Sequence, residues 1–383
     1  MINNTKVIHL TSVHPPFDTR IFYKECRTLA QAGYEVVLVV THDKNDVIDG
    51  VRIRAVPKPK NRRERMTKTV RQVYKAAVAE NADIYHFHDP ELLVVGKFLQ
   101  LRGKRVIYDM HENLPKAIRT KPWINARLRP LVASLVRFIE RILMKGMPVI
   151  YAEKSYAKDY KWVKTAVTVL NMPMVSNLLA INEAKYPMPT IGYLGGVSPL
   201  RGSLECVEAL RILKERGYSV GWECIGPISD YHRSELMRLI SSYGLHDVYI
   251  RGYMLPDEGW RYIAWCHIGL AILKPIPNYI ESYPTKMFEY MALGLPVVTS
   301  NFKLYRDIIE KERCGICVTP ESPIDIANAI EYLLTHPDEA EAMGKRGQEA
   351  VRKLYNWEIE SKKLRAFYEK ILTGKGADVS GHF

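Results

Sequence analysis

Short runs of aliphatic and β-branched residues alternate with helix-like stretches along this chain, and the alternation runs through once and then starts again. In the first half the strand-like runs are residues 7–10, 35–41, 83–88, 104–109 and 148–152. Helical patterns at 19–32 and 91–101 lie between them, and Gly33 closes the first. Runs this apolar have no wet face, so they belong in a parallel sheet covered on both sides by helices. Residues 173–188 lack periodicity, carry Pro173 and Pro187, and read as a linker. Beyond it, strands are expected at 190–194, 220–225, 248–251, 268–273, 296–300 and 316–318, and helices at 203–216, 232–243, 285–292 and 324–336. The expected fold class is α/β, with two Rossmann-like doubly wound domains over residues 1–173 and 188–354. Ligands of such sheets sit beyond the C-terminal strand ends, and two sheets facing one another make a cleft. A last helix is expected over 355–372. Its plain reading is packing on its own domain, and the residues after Gly374 read as a disordered tail.

Charge separates the two halves. Residues 1–186 hold 32 lysines and arginines against 17 acids, a net +15, and residues 187–383 hold 23 against 25, a net −2. An anionic partner is therefore expected for the first half. The densest basic stretch runs from Arg52 to Lys75, with ten basic residues and one acid, Glu64. Residues 123–145 add an amphipathic pattern. Leu128, Leu131, Leu135, Ile139 and Ile142 fall on one side, with Arg127, Arg129, Arg137, Arg141 and Lys145 mostly around the other. The apolar stripe reads first as core-facing, with a membrane interface as the alternative. The charge reads as facing an anionic membrane surface or a lipid-diphosphate acceptor, with a solvated face as the alternative. No secretory leader and no membrane-spanning segment is expected. Six scattered cysteines suit a reducing, cytoplasmic compartment, and the lone Cys314-x-x-Cys317 reads as two packed thiols.

The segment Glu281-Ser-Tyr-Pro-Thr-Lys-Met-Phe-Glu289 sets two carboxylates across a loop-to-helix junction. Pro284 suits a first helical turn and Ser282 a cap. Amides at a helix start are an anion site, so a diphosphate can rest there against Pro284, Thr285 and Lys286. Glu289 can then accept two hydrogen bonds from a ribose diol, and Glu281 can reach hydroxyls of a transferred sugar. Ile191-Gly-Tyr-Leu-Gly-Gly-Val-Ser-Pro-Leu-Arg-Gly202 is a strand, a glycine-rich turn and a helix start. Gly195, Gly196 and Gly202 allow close approach of a phosphate, and Arg201 supplies a fixed charge. In the first half, His86 and His88 share one face of a strand, but no third and fourth ligand follows at suitable spacing, so no metal site is expected.

From Glu281 through Pro284-Thr-Lys-Met-Phe-Glu-Tyr-Met-Ala-Leu-Gly-Leu-Pro-Val-Val298, the chain resembles retaining glycosyltransferases of the GT-B fold, family 4. His14-Pro-Pro-Phe-Asp-Thr-Arg20, Asp83-Ile-Tyr-His-Phe-His-Asp-Pro-Glu91 and Val106-Ile-Tyr-Asp-Met-His-Glu112 resemble its bacterial polysaccharide-synthesis branch. The resemblance implies Glu289 on the nucleotide ribose, Glu281 on the donor sugar, and His111 hydrogen-bonded near the reacting end of that sugar. Arg201 takes the family's lysine position, while Gly196 stands where an arginine is usual, so Arg201 and Lys286 are expected to carry the diphosphate charge. Arg251-Gly-Tyr-Met-Leu255 falls where the nucleobase pocket lies, with Tyr253 equally readable as a core aromatic. The turn carrying His14, Asp18 and Arg20, with His88 and Glu112, is implied on the acceptor and phosphate side, Arg20 replacing backbone amides. The last helix, over 355–374, is implied to cross back onto the first domain.

The reaction implied by the resemblance is transfer of a sugar from a nucleoside-diphosphate sugar to a hydroxyl, with retained configuration and no metal or other cofactor. The leaving diphosphate takes the acceptor proton, and the protein stabilises the charge left behind. A glycan or lipid-diphosphate-linked acceptor, peripheral contact with the inner face of the cell membrane and no nucleic-acid partner are expected. The rival readings are a nucleotide-sugar epimerase of the same fold, a non-enzymatic basic membrane- or nucleic-acid-binding protein, and an inactive scaffold. No residue pattern in the chain encodes the nucleobase, the sugar or the acceptor.

Overall fold

The computed structural model describes residues 5–121 and 123–374; the tail expected after Gly374 lies outside the described residues. The chain divides into two units. One comprises the described residues up to Asn171 together with those from Glu358 onward, and the other is Met172–Trp357.

The first unit is built on eight strands: β1 (Lys6–Leu10), β2 (Glu35–Thr41), β3 (Asp46–Ile48), β4 (Val51–Val56), β5 (Ile84–Phe87), β6 (Arg105–Met110), β7 (Val149–Tyr151) and β8 (Ala166–Thr168). They lie in the order β3-β4-β2-β1-β5-β6-β7-β8, and every pair is parallel except β3 with β4. The central strands are apolar on both faces because helices cover both, and Val7, Ile8, Val37, Val39, Ile84 and Ile107 have no exposed surface. Sequence reasoning missed β3, β4 and β8. On β4, Val51 and Ile53 point inward while Arg52 and Arg54 alternate outward, so a strand hides inside the basic stretch. The rest of that stretch winds into helical turns and the helix Val70–Glu80.

The stretch expected as one helix over 19–32 is wound at two pitches. Ile21–Cys26 is a π-helix and Arg27–Gln31 an α-helix, and the Glu25 amide donates five residues back to the Arg20 carbonyl at 2.9 Å. The helix Arg129–Leu143 corrects the core-facing reading of its apolar stripe. Only Ala133 and Glu140 are buried on it. Leu131, Leu135, Ile139 and Ile142 are 69%, 56%, 44% and 52% exposed, and Leu128 and Phe138 join them at 53% and 61%. A small residue, Ala133, sits on the inward face, and the larger apolar ones point out.

The second unit carries β9 (Thr190–Leu194), β10 (Gly221–Ile225), β11 (Val248–Gly252), β12 (Ile268–Ala271), β13 (Val297–Ser300) and β14 (Gly315–Val318). All its pairs are parallel, in the order β11-β10-β9-β12-β13-β14. Counted from its own first strand this is 3-2-1-4-5-6, the doubly wound order whose direction reverses between β9 and β12. The stretch read as a linker contains a short helix, Val175–Leu179. The last helix, Trp357–Thr373, packs on the first unit's sheet from Glu358 onward, which replaces the plain reading of packing on the unit before it. Its Tyr368 hydroxyl meets His86 Nδ1 at 2.6 Å, and its Glu360 accepts the Leu170 amide at 2.9 Å.

Candidate functional site

Each unit gathers its chemistry where its sheet changes direction. In the second unit, β9 runs into Gly195, whose φ of 118° is open to glycine. The Gly195 amide donates to the Ile225 carbonyl at 2.8 Å, and Tyr193 donates its hydroxyl to the Gly196 carbonyl at 2.7 Å. Residues Pro199–Arg201 make one tight turn, closed by Gly202 at φ 71°. A side chain on Gly202 would stand 2.5 Å from Ile272 Cγ2, so both conformation and space require glycine there. The helix Ser203–Glu215 follows.

Two cations converge on this turn. Arg201 Nη1 lies 3.7 Å from the place a Cβ on Gly195 would occupy and 3.5 Å from that on Gly196, and Lys286 Nζ lies 3.4 Å from the first. Arg201 is steadied by Tyr279, whose hydroxyl accepts from Nε at 3.4 Å. Lys286 is buried over the Tyr193 ring, with Nζ 3.6 Å from its centroid, and finds no hydrogen-bond acceptor among the described residues. Burial first, and Arg201 second, push its pKa down to about 7. A partly neutral lysine beside a fixed guanidinium and two bare glycines is a place prepared for an anion.

Lys286 reaches that place from the helix Thr285–Ala292, which Tyr290 ties to β9 by accepting the Leu194 amide at 2.8 Å. The helix begins without a capping side chain. Pro284 is its extended cap residue rather than part of its first turn, and Ser282 donates to the Tyr279 carbonyl at 3.4 Å instead of capping. Glu281 is exposed at the end of the short helix Pro277–Ile280, and Glu289 is half-buried on the second turn of the longer one. Tyr253 is 71% exposed, which removes its reading as a core aromatic. Its neighbour Arg251 is held by Glu223 through paired contacts of 2.5 and 2.7 Å.

In the first unit, Asp89 clasps the loop after β1. It accepts the Ser12 amide at 2.6 Å and the Thr11 hydroxyl at 2.9 Å, and lies 3.4 Å from His14 Nε2. His14 Nδ1 stands 3.4 Å from Asp18, whose carboxylate also accepts the Arg20 and Ile21 amides at 2.9 Å each. Burial pushes the His14 pKa down, but Asp18 and Asp89 together outweigh it and leave the pKa raised. His111, at the end of β6, approaches Asp109 through Nε2 at 2.6 Å and remains 18% exposed. Glu112 beside it is half-buried.

Two expected phosphate-side residues are placed otherwise. Arg20 is buried and forks onto Asp109 with bonds of 3.1 and 2.9 Å, and its third donor goes to the Val169 carbonyl at 3.0 Å. Its donors serve the interior, so it positions Asp109 rather than meeting a phosphate. His88 is fully buried, with Nδ1 3.1 Å from Asp109 and Nε2 2.9 Å from His9 Nδ1. Asp109 stays ionised because Arg20 and the neighbouring histidines outweigh the cost of its burial. Sequence reasoning missed His9 and Glu25, which complete this buried group; His9 was hidden inside an apolar strand and Glu25 inside a helix.

Fold and site together define a GT-B protein, two doubly wound α/β units with a glycine-rich turn flanked by two cations in the second. Its family follows from two matches, to the glycosyl transferase 4-like domain over residues 19–146 and to glycosyl transferases group 1 over residues 179–350. The chain belongs to these glycosyltransferases. It is 27% identical to an alpha-D-kanosaminyltransferase of Streptomyces kanamyceticus over 48% of this chain and 46% of that one. It is 20% identical to the D-rhamnosyltransferase WbpZ of Pseudomonas aeruginosa over 73% of this chain and 71% of that one. The first match thus spans about half the length of the relative. Among solved structures, Anabaena HepE in complex with UDP and glucose matches with a TM-score of 0.72 at 14% identity, over 96% of this chain and 100% of that one.

Proposed function

We propose that this chain moves a sugar from a nucleoside-diphosphate sugar to a hydroxyl of a glycan or lipid-linked oligosaccharide, with retention, in making a cell-surface polysaccharide. The observation that carries the reading is the meeting of Arg201 and Lys286 over Gly195 and Gly196, beside the opening of the helix Thr285–Ala292. The diphosphate rests on that turn, against Gly202, Pro284 and Thr285. Glu289 holds the ribose diol, Glu281 the hydroxyls of the donor sugar, and Tyr253 lies toward the base. From the first unit, His111 is assigned a hydrogen bond to the sugar, on the family resemblance. Two protein cations and the helix start neutralise the leaving diphosphate, so the transfer needs no added metal. The names of the relatives, both sugar transferases, and the UDP and glucose in HepE support this donor class.

Thermal-shift screening with UDP, GDP and dTDP and their sugars tests the donor. At about 100 times its dissociation constant the right nucleotide stabilises by about 2.7 kcal/mol. Arg201→Ala and Glu281→Ala should each fold normally and lose most turnover. Wild-type turnover in either purified variant overturns the assignment, and product analysis that finds an epimerised donor with no transfer moves it to the epimerase reading.

We also propose that the first unit docks on an anionic membrane surface, at the inner face of the cell membrane. The exposed apolar face of Arg129–Leu143 lies along a strongly basic unit, and Trp123 is 64% exposed with Arg62 and Lys121 set over its ring. An apolar ridge with an indole and flanking cations suits the headgroup boundary. No helix among the described residues is long and apolar enough to cross a membrane.

A further inference from the structure

We propose that the first unit holds a structural divalent ion of the zinc class, bound by His9, His86, His88 and Glu25. The sheet brings three of these together. His86 lies on β5 and His88 just past its end, two residues on, and His9 on β1 pairs in register with His86. The fourth, Glu25, comes from the π-wound segment Ile21–Cys26, a geometry that recurs where a helix must aim one side chain at a site. One ligand atom from each of the four lies within 4.8 Å of the others, and all four residues are fully buried. A tetrahedral site with bonds of about 2.0–2.1 Å separates its ligand atoms by about 3.3 Å. The contacts in the cluster, 2.9 Å between His9 Nδ1 and His88 Nε2 and 3.9 Å between His86 Nε2 and Glu25 Oε2, bracket that spacing.

The second observation is the direction of the outer hydrogen bonds. His88 Nδ1 is turned to Asp109 Oδ2 at 3.1 Å, His86 Nδ1 to the Tyr368 hydroxyl at 2.6 Å, and His9 Nε2 to the same hydroxyl at 3.4 Å. Each imidazole therefore has one nitrogen engaged outward, and the opposite nitrogen faces the centre. Partners of this kind fix tautomer and ring orientation around metal-bound histidines.

The third observation is the set of orphans. His86 Nε2 and both Glu25 oxygens have no hydrogen-bond partner among the described residues. Glu25 Oε1 lies 2.9 Å from Arg20 Nε, but that N–H is aimed at Asp109. Without a metal the cluster closes only if Glu25, whose carboxyl is held well above its usual range by burial and by Asp109, keeps a proton. If His88 donates to Asp109, its Nε2 needs a proton from His9 Nδ1, and His9 Nε2 then needs the Tyr368 proton. His86 must in turn donate Nδ1–H to the Tyr368 oxygen, which leaves Nε2 a bare lone pair facing Glu25. One cation satisfies that lone pair, the two other inward nitrogens and the carboxylate at once. Three nitrogens and one oxygen are a donor set for zinc. The ion would tie β1, β5, the π-wound turn and, through Tyr368, the last helix.

The test uses the full chain, expressed with zinc in the medium, dialysed, and assayed for metal by mass spectrometry. About one zinc per chain is expected, and Co2+ loaded after chelation under mild denaturant should show the visible band of a tetrahedral site. His86→Ala and Glu25→Gln should lose the zinc, whereas His111→Ala should keep it. Tyr368→Phe leaves all four ligands and covers the case in which the ligand variants do not fold; it should retain zinc but release it to a chelator faster than wild type. Wild-type protein that carries less than about a tenth of an equivalent, and takes up neither Zn2+ nor Co2+ with any shift in melting, overturns the proposal. Loss of zinc from His111→Ala but not His86→Ala places the ion elsewhere and overturns it equally.

Discussion

Replacing Lys286 by methionine should stabilise the chain and weaken diphosphate binding, with a pH dependence set by one proton. Unfolded, this lysine titrates near 10.5, whereas burial and Arg201 bring it to about 7 in the folded chain. Between those values the unfolded state binds more protons than the folded one, so stability rises with pH across the window. At pH 7 the charged form costs the wild type about 4 kcal/mol, and at pH 9 about 2 kcal/mol, from about 1.36 kcal/mol for each tenfold change in proton affinity. Lys286→Met shortens the unbranched side chain by one atom and removes the titrating group. Its advantage in unfolding free energy, from urea titrations, should therefore halve between pH 7 and pH 9. Binding reverses the preference, because a diphosphate beside Nζ favours the ammonium form. At pH 8 about 0.9 proton should be taken up with the nucleotide, read by calorimetry in buffers of different ionisation heat. A stability gap that does not change with pH, together with no proton uptake on binding UDP or GDP, would refute the reasoning.

Glu140 gives the opposite slope. Burial raises its pKa to about 7, despite a hydrogen bond of 2.8 Å from Tyr160, so the folded state holds a proton that the unfolded state releases near 4.5. Wild-type stability should fall as pH rises through that window, and Glu140→Gln should be more stable than wild type at pH 8 by about 3 kcal/mol in a urea titration. Gly202→Ala forces a side chain into the left-handed region, 2.5 Å from Ile272 Cγ2. It should cost about 2–4 kcal/mol and weaken nucleotide binding, both read from melting curves with and without UDP or GDP. Leu131→Ser with Leu135→Ser should leave melting unchanged, because both side chains already face solvent, and should reduce flotation with anionic liposomes. Wild-type protein that does not float at low salt removes the membrane proposal.

The sequence was most legible where a single physical rule governs a segment. The bounds of β9 and the helix Thr285–Ala292 follow directly from apolar runs ended by glycine or proline. β4 was not legible, because an edge-side strand with one wet face shows alternating arginines that read as charge. The outward face of Arg129–Leu143 was misread because periodicity reports that a helix has an apolar side, not which side meets the sheet. Arg20 was misread for a related reason. A loop arginine near a strand end looks like a phosphate ligand until Asp109, 89 residues away, is seen to take its fork. Long-range pairs of this kind leave no local trace. Lys286 shows the reverse: the glycines and Arg201 were visible as a motif, and only the fold brings the lysine over Tyr193 to complete it.

Both sheets reverse direction beside their first strand, between β1 and β5 in one unit and between β9 and β12 in the other. The loops that leave a sheet at such a point diverge, and side chains from both fill the gap. The two gaps are furnished with opposite chemistry. After β9 stand two cations and bare glycine backbone, and the Lys286 ammonium there meets no acceptor among the described residues. After β1 stand Asp89, Asp109 and the imidazoles, closed on themselves through Arg20 and through the proposed ion. A site that satisfies itself can hold a surface in place but offers little to a charged ligand, and one left with surplus charge does the reverse. Part of the basic stretch is drawn into this closed group, because Arg65 forks onto Glu91, which accepts from Ser12 Oγ at 2.7 Å, while Arg62, Lys121 and the helix Arg129–Leu143 carry the charge that the membrane proposal uses.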